Sequence, residues 1–151
     1  MREELSQMRD LAQTYKWEVI PNFDALSILV KMRAHTGDLF IIDVLCENYK
    51  EHPPFFEFID PDTGVRGTPH AYPKGHDSLF HTSGPCICAP FNQKAYKSVV
   101  DTGPHPEWSF GDWMTSKANN YDWSPHSNLA GMLLLVQTRI SRPEYYQGRM
   151  G

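Results

Sequence analysis

The sequence has no long apolar run and no concentration of positive charge. No stretch approaches the roughly 18 apolar residues that a membrane-spanning helix requires. Lysines and arginines are scattered and the formal net charge is −4, unlike the basic surface of a nucleic-acid-binding protein. The charged opening MREELSQMRDL is not typical of a secretory signal peptide. We therefore expect a cytoplasmic protein that binds neither nucleic acid nor membrane.

Cysteine is also scarce, with only Cys46, Cys86 and Cys88 in the chain. An odd number of cysteines in a cytoplasmic protein argues against a disulfide framework and directs attention to catalysis or metal binding. A chain of 151 residues suits one domain and can bury enough surface to fold without a disulfide or metal. We expect a single domain over residues 1–151.

The first part of the chain predicts one helix followed by strands. From Arg2 to Tyr15, apolar residues recur at three- and four-residue steps, as on one face of a helix. Four apolar, β-rich runs follow, separated by turn-forming residues or by adjacent prolines. These runs are residues 17–20, 25–32, 39–45 and 55–59. The pattern predicts an α+β fold with an N-terminal helix and a four-strand antiparallel meander.

The middle of the chain, residues 60–122, is rich in glycine, proline, histidine and aromatic residues. A loop of this length inside a compact domain is usually functional. Short helices are predicted at residues 92–99 and 112–118 within it.

A C-terminal helix is predicted from Ser127 to Arg139, where the sequence is strongly apolar. Ser124 is the expected N-cap, with Pro125 in the first turn. The last eight residues are expected to form a tail.

Three short motifs occur in a fixed order. They are Tyr49-Lys-Glu-His-Pro-Pro54, Ile87-Cys-Ala-Pro-Phe91 and Trp123-Ser-Pro125. The order resembles the ubiquitin-conjugating enzymes, in which a tyrosine-to-proline-proline turn precedes strand four, an isoleucine-cysteine-leucine segment follows, and tryptophan-serine-proline opens the next helix. The resemblance covers Arg2 to Pro143. It implies that fold, with residues 60–122 as a long active-site insertion.

The resemblance implies that Cys88 is the cysteine on which this family carries its cargo. The protein would be a transferase that forms a thioester with a ubiquitin-like protein or with a partner protein's C-terminus, then passes it to an amine. It would need no cofactor. Its partners would be a ubiquitin-like modifier with its activating enzyme, or the C-terminus of a nucleotide synthase.

The sequence departs from the family in two places. Family members usually carry His-Pro-Asn before the cysteine, and this sequence has none. The interval from Cys88 to Trp123 is also much longer than in the eukaryotic enzymes. Both departures are similar to small bacterial relatives encoded in antiphage operons, either with cyclic-oligonucleotide synthases or with ubiquitin-like ligation systems. The segment from Gly84 to Asn92 looks most like the first group.

Thioester transfer requires an accessible thiol and hydrogen-bond donors for the oxyanion of the tetrahedral intermediate. Pro85 and Pro90 bracket the cysteines and predict an extended, exposed ledge. His81 is the first candidate for the oxyanion donor, followed by Asn92, with Ser83 as a third candidate. No Cys–His pair is visible at a fixed spacing. Asp101, Asp112 and Asp122 are all candidates for an acid that assists the amine, and the sequence does not distinguish among them.

Two other functions fit the same residues. Cys86 and Cys88 with His81 and His76, or with the nearby His70, are ligand types that hold zinc, although Cys-x-Cys lacks the usual spacer. The chain is then a zinc-binding module. Alternatively, it is a non-catalytic binding module that keeps the fold.

Individual residues carry further alternatives. Cys86 is a possible nucleophile or resolving thiol, because alternate residues of an extended segment face one side. Cys46 ends an apolar run and is expected in the core. Trp108, Phe110 and Trp113 either pack the insertion onto the sheet or form a docking surface.

Overall fold

The first helix lies where the sequence predicts it. A computed structural model describes residues 2–118 and 120–151. Helix α1 covers Arg2–Tyr15 and buries Leu5 and Met8. Acidic residues in its first turn match the positive end of the helix dipole.

One of those acidic residues, Glu4, is buried and joins three parts of the chain. Its Oε1 accepts hydrogen bonds from the Tyr49 hydroxyl at 2.6 Å and from the Leu129 N–H at 2.7 Å. Leu129 begins the C-terminal helix, so the carboxylate satisfies a main-chain donor that the helix itself leaves free. The Glu4 side chain therefore ties the N-terminal helix to the C-terminal one.

The four predicted strands form one antiparallel sheet in the order β1–β2–β3–β4. The strands are β1 Glu18–Asn22, β2 Ser27–Arg33, β3 Leu39–Leu45 and β4 Phe55–Ile59. The meander is confirmed, and the last two strands have the predicted bounds. Trp17 lies outside β1 because its buried indole donates to Gln137 Oε1 at 2.6 Å.

The core lies between one face of this sheet and the two helices. Alternate residues of each central strand are buried, as expected for a sheet with one covered face. The buried side chains from the sheet are Ile28, Val30, Met32, Phe40, Ile42, Val44, Phe56 and Phe58. Cys46 is buried among them, as predicted.

The segment after β4 contains turns and two short hairpins. The first pairs β5 (Phe80–His81) with β6 (Cys86–Ile87), and the second pairs β7 (Lys117–Ala118) with β8 (Tyr121–Asp122). The helix predicted at 92–99 is wrong: a single 3-10 turn covers Gln93–Ala95. Tyr96 is extended, and its hydroxyl donates to the Pro90 carbonyl at 2.6 Å.

The helix predicted at 112–118 is also wrong. A 3-10 turn covers Phe110–Asp112, and the last two residues of the predicted helix form β7 instead. Trp113 is 3% exposed, so its indole lies in the core and not on a surface helix. Helices of so few residues gain little from their own hydrogen bonds.

The C-terminal helix α2 covers Leu129–Ile140. Its N-cap is Asn128, whose Oδ1 accepts from the Gly131 N–H at 2.7 Å, and the prediction of Ser124 as N-cap is wrong. Ser124 and Pro125 lie instead in a preceding 3-10 turn. Neither α2 nor any other helix in the described residues is long and apolar enough to cross a membrane.

The last residues do not form a free tail, so that prediction is wrong as well. Tyr145, Tyr146 and Met150 are buried. The main chain of this segment pairs with residues 72–74, with Met150 N–H donating to the Tyr72 carbonyl at 3.0 Å. Two tyrosines and a methionine supply enough apolar area to hold the segment against the domain.

Candidate functional site

Cys88 follows β6 and extends the first short hairpin. Its N–H donates to the Leu79 carbonyl at 2.6 Å. The residue is 6% exposed, and Pro90 is buried too, so the prediction of an exposed ledge is wrong. Only Cys86–Ile87 is a strand, and the chain turns at Ala89 and Pro90.

The thiol belongs to a chain of three interacting side chains. Cys88 Sγ lies 2.9 Å from His105 Nε2. The other ring nitrogen, Nδ1, lies 2.7 Å from Glu107 Oε1. A thiol, an imidazole and a carboxylate in this order are a nucleophile, its base and a group that orients the base.

The local sequence explains how His105 reaches the thiol. Its N–H donates to the Ala95 carbonyl at 3.2 Å, and its carbonyl accepts from the Lys97 N–H at 3.3 Å. Gly103 makes this approach possible, since a Cβ there would lie 2.6 Å from the carbonyl carbon of Tyr96. Glycine at 103 therefore allows the histidine segment to lie against the turn that follows the cysteine.

The face of the imidazole is covered by Trp108. The two rings are parallel within 3°, with centroids 3.6 Å apart. The indole in turn meets the edge of Tyr96, at 5.5 Å between centroids. Glu107 and Trp108, from the same short stretch, thus surround the imidazole of His105.

The electrostatics of the site favour a neutral resting thiol. Burial raises the pKa of the Cys88 thiol to about 11, and the negative charge of Glu107 acts in the same direction. The hydrogen bond from His105 lowers the pKa of the Glu107 carboxyl, which is therefore ionised at neutral pH. The consistent arrangement has the thiol donating to Nε2 and Nδ1–H donating to Glu107. In this arrangement His105 Nε2 can accept the thiol proton.

A pocket of about 180 Å³ opens beside Cys88. Leu79, Tyr121 and Trp123 form its apolar walls, and Ser78, Asp77 and Arg139 complete the lining. A larger hollow of about 340 Å³ lies elsewhere, near Leu45 and His52, and Cys88 does not line it. The smaller pocket is the one that Cys88 lines.

Two charges in this pocket neutralise each other. Arg139 Nη1 donates to Asp77 Oδ2 at 2.6 Å, and the Tyr145 hydroxyl donates to Oδ1. Partial burial acts to raise the pKa of the Asp77 carboxyl, but the hydrogen bonds from Tyr145, Leu79 N–H and Arg139 outweigh it, and the pKa is lowered.

The two predicted oxyanion donors lie in different surroundings. His81 Nδ1 is 2.7 Å from the Ser83 carbonyl, and the residue pairs with Cys86 across the hairpin. Asn92 is fully buried; its amide donates to the Ile87 carbonyl at 2.8 Å and accepts from the Phe56 N–H at 3.0 Å. Asn92 therefore holds the cysteine segment against β4. The oxyanion role of both residues stays a prediction.

The alternative zinc site is not assembled. Within residues 2–118 and 120–151, the only three candidate ligands whose atoms lie within 4.8 Å of one another are Asp60, Asp62 and His70. His76, a proposed ligand, is 3.1 Å from Gln147 Nε2 instead. Cys86 is fully buried, and its burial raises the pKa of its thiol to about 12.

The acids and aromatics of the insertion are partly reassigned. Asp101, Asp112 and Asp122 do not line the pocket at Cys88, and sequence reasoning missed Glu107 and Asp77.

Trp108 and Phe110 pack against Cys86 and Tyr96, and Trp113 is in the main core. Packing against the core that contains the sheet is therefore observed for Trp113, whereas Trp108 and Phe110 are half-buried in a separate cluster and a docking role for them stays a prediction. The sequence feature that could have indicated His105 is its position two residues before Glu107.

No protein-family model matches the chain, and no curated protein or solved structure gives a significant match.

Proposed function

We propose that this protein is a cysteine-dependent acyltransferase of the ubiquitin-conjugating type, with Cys88 as the carrier. The observation that carries the proposal is the chain from Cys88 Sγ to His105 Nε2 at 2.9 Å and from His105 Nδ1 to Glu107 at 2.7 Å. A protonated thiol next to an oriented base suits a nucleophile that is activated only when a substrate arrives, and the pocket that Cys88 lines is the proposed route of access to it.

In the loading step, the Cys88 sulfur attacks the carbonyl carbon of a donor thioester while its proton passes to His105 Nε2. Glu107 stabilises the positive imidazolium that results. The tetrahedral intermediate then collapses, the carbon–sulfur bond of the donor breaks, and the departing thiolate takes the proton. The acyl group is left as a thioester on Cys88.

In the discharge step, the nitrogen of an acceptor amine attacks that thioester. The carbon–sulfur bond to Cys88 breaks and an amide forms. The proton lost by the amine passes through His105 to the Cys88 sulfur, which restores the resting thiol. His105 is the base in both steps. It accepts the proton of Cys88 during loading and returns a proton to Cys88 during discharge.

The packing of the three sequence motifs supports the ubiquitin-conjugating type of fold. The Gln93 N–H donates to the Pro54 carbonyl at 2.9 Å, and its side chain donates to the Pro53 carbonyl at 2.7 Å. Phe91 meets Trp123 at 6.0 Å between ring centroids. The proline-proline turn, the cysteine segment and the tryptophan segment are therefore neighbours in the α+β domain.

The proposal extends to the donor. A thiol does not attack a free carboxylate, so the acyl group must arrive as an activated protein C-terminus. A ubiquitin-like modifier with an activating enzyme, or a nucleotide synthase whose C-terminus is conjugated, meets this requirement. Both belong to bacterial antiphage defence, in keeping with the resemblance of the cysteine segment.

A synthetic peptide thioester ending in glycine tests the loading step without the natural donor. Intact mass spectrometry should detect the acyl adduct on the wild-type protein and on Cys86→Ala, which is the matched control. Cys88→Ala should give no adduct, and Cys88→Ser should give at most an ester that resists thiol reductants. Adduct on Cys88→Ala but not on Cys86→Ala would assign the reaction to the other thiol.

Adding free lysine to the loaded protein tests the discharge step. Transfer should yield a lysine amide of the peptide. The same three residues also fit a thiol hydrolase, because water can replace the amine; release of the free peptide acid with no lysine product would support that second function. Failure to form any adduct would leave a binding module and overturn the proposal.

A further inference from the structure

Trp108 contacts the imidazole of His105, which is the base of the proposed site. Its ring lies 3.6 Å from the imidazole of His105 and within 3° of parallel. Trp108 itself is half-buried, fixed on one edge by Tyr96, whose hydroxyl is bound to the Pro90 carbonyl. An aromatic ring that is held rigidly over a catalytic imidazole can act on the orientation of that ring and on its charge.

We propose that Trp108 is a positioning residue for His105, which fixes the imidazole in line with Cys88 and stabilises its protonated form during attack. The inference rests on the proposed acyl transfer through Cys88 and His105. The stacked indole opposes rotation of the imidazole about its Cβ–Cγ bond, so Nε2 stays directed at the sulfur. The electron-rich indole face attracts the positive charge that appears when the thiol proton moves.

Few other charges act on the imidazole. Cys88 and Glu107 contact its two nitrogens. Asp77 and Arg139 line the pocket on the far side of Cys88 and are paired with each other. Glu107 is exposed, so its interaction with the imidazolium is screened by water. The stacked indole supplies the remaining contact to the ring face.

Alkylation of Cys88 by iodoacetamide tests the inference, because it reports the Cys88–His105 pair without any acyl donor. The rate is measured across pH and assigned to Cys88 by peptide mass spectrometry. We expect Trp108→Leu to lower the neutral-pH rate by about threefold to tenfold. Its acid limb should move to lower pH, because the protonated imidazole loses a stabilising contact. Trp108→Phe should restore most of the rate.

Phe110→Leu is the matched control. Phe110 packs on Tyr96 in the same cluster, at 5.1 Å between centroids, and its other ring partner is His52 rather than His105. The control should keep the wild-type pH profile. An equal change in Phe110→Leu, or a wild-type profile in Trp108→Leu, would overturn the inference.

Two results separate this inference from the proposed function. If His105→Ala leaves the Cys88 profile unchanged, the base step of the proposed function fails; if only the Trp108 variants leave it unchanged, this inference alone fails. Should Trp108→Leu not fold, nuclear magnetic resonance of the wild-type protein decides. The carbon-bound protons of His105 must show the upfield ring-current shift of a stacked imidazole, and ordinary positions would exclude the stack.

Discussion

The four-stranded sheet and the segment that carries Cys88 satisfy their main-chain groups by different means. In the sheet, β2 and β3 pair continuously from Ser27↔Leu45 to Arg33↔Leu39. In the Cys88 segment, β5 and β6 are only two residues long each. Beside main-chain bonds such as the one from Cys88 N–H to Leu79, the buried side chains of Asn92 and Tyr96 bind the carbonyls of Ile87 and Pro90.

This comparison indicates that stability depends mainly on apolar side chains and reactivity mainly on polar ones. The sheet depends on apolar packing that is spread over many side chains. The Cys88 segment depends in addition on a few buried polar side chains that bind its main chain. A substitution in the sheet should therefore change the free energy of unfolding, whereas one in the segment should change reactivity first.

His105→Ala should show the largest effect. Burial raises the pKa of Cys88 to about 11, so without a base only about one thiol in ten thousand is ionised at neutral pH. We expect loading by a peptide thioester to fall by about 10²–10⁴-fold, with little change in the urea midpoint. The remaining rate should increase as the pH rises toward about 11, where the thiolate forms. An unchanged neutral-pH rate would contradict this role for His105.

Phe58→Ala tests the sheet side of the comparison. Phe58 is fully buried and contacts the rings of Phe40, Tyr72 and Phe80. We expect a loss of about 3–5 kcal/mol in the free energy of unfolding, measured by urea denaturation. Ile20→Ala on β1 is the control, since Ile20 is 42% exposed. Equal losses in the two variants would mean that burial does not determine the cost.

Asn92→Ala joins the two regions and should affect both measurements. Its amide bridges the Ile87 carbonyl and the Phe56 N–H, and both groups would be left unsatisfied in the interior. We expect a loss of about 2–3 kcal/mol together with slower alkylation of Cys88. Asn128→Ala, which removes only the cap of α2, should cost about 1 kcal/mol and leave the alkylation rate unchanged. Equal alkylation rates in the two variants would contradict this prediction.

Asp77→Asn should show the smallest effect, and one that depends on pH. The pKa of Asp77 is lowered in the folded protein, so its charged form stabilises the fold above the pKa of the unfolded chain, near 3.9. This stabilisation is lost as the pH falls through the lower folded value. Urea unfolding should therefore distinguish the variant from the wild type at pH 7, and the difference should shrink at acid pH. A difference that grows with acid would contradict the assignment.

The sequence predicted the regular half of the fold because periodicity is a local signal. Helix α1, β3 and β4 have the predicted bounds, since apolar residues recur at the spacing of one face. The N-cap was misplaced because Ser124 and Asn128 are both good capping residues, and only the preceding 3-10 turn decides between them.

The candidate site was predicted at Cys88 but not at its partners. His105 is 17 residues further along the chain, and it arrives through the close approach of Gly103 to Tyr96. A close approach of two main-chain segments produces no periodic pattern of apolar residues in the sequence. Asn92 was chosen as a candidate oxyanion donor, and that role stays a prediction; its buried main-chain contacts depend on β4, which no local pattern links to it.

The bond between Glu4 and Leu129 joins residues 125 positions apart, and this separation matters for synthesis of the protein. On the ribosome, the Glu4 carboxylate is exposed long before α2 has been translated. Until then its partners in the chain are the Tyr49 hydroxyl, at 2.6 Å, and the Lys50 ammonium, at 3.8 Å, and the apolar face of the sheet lacks its second helix. Chains that stop before residue 129 should therefore remain open to proteases, and closure of the domain awaits its final helix.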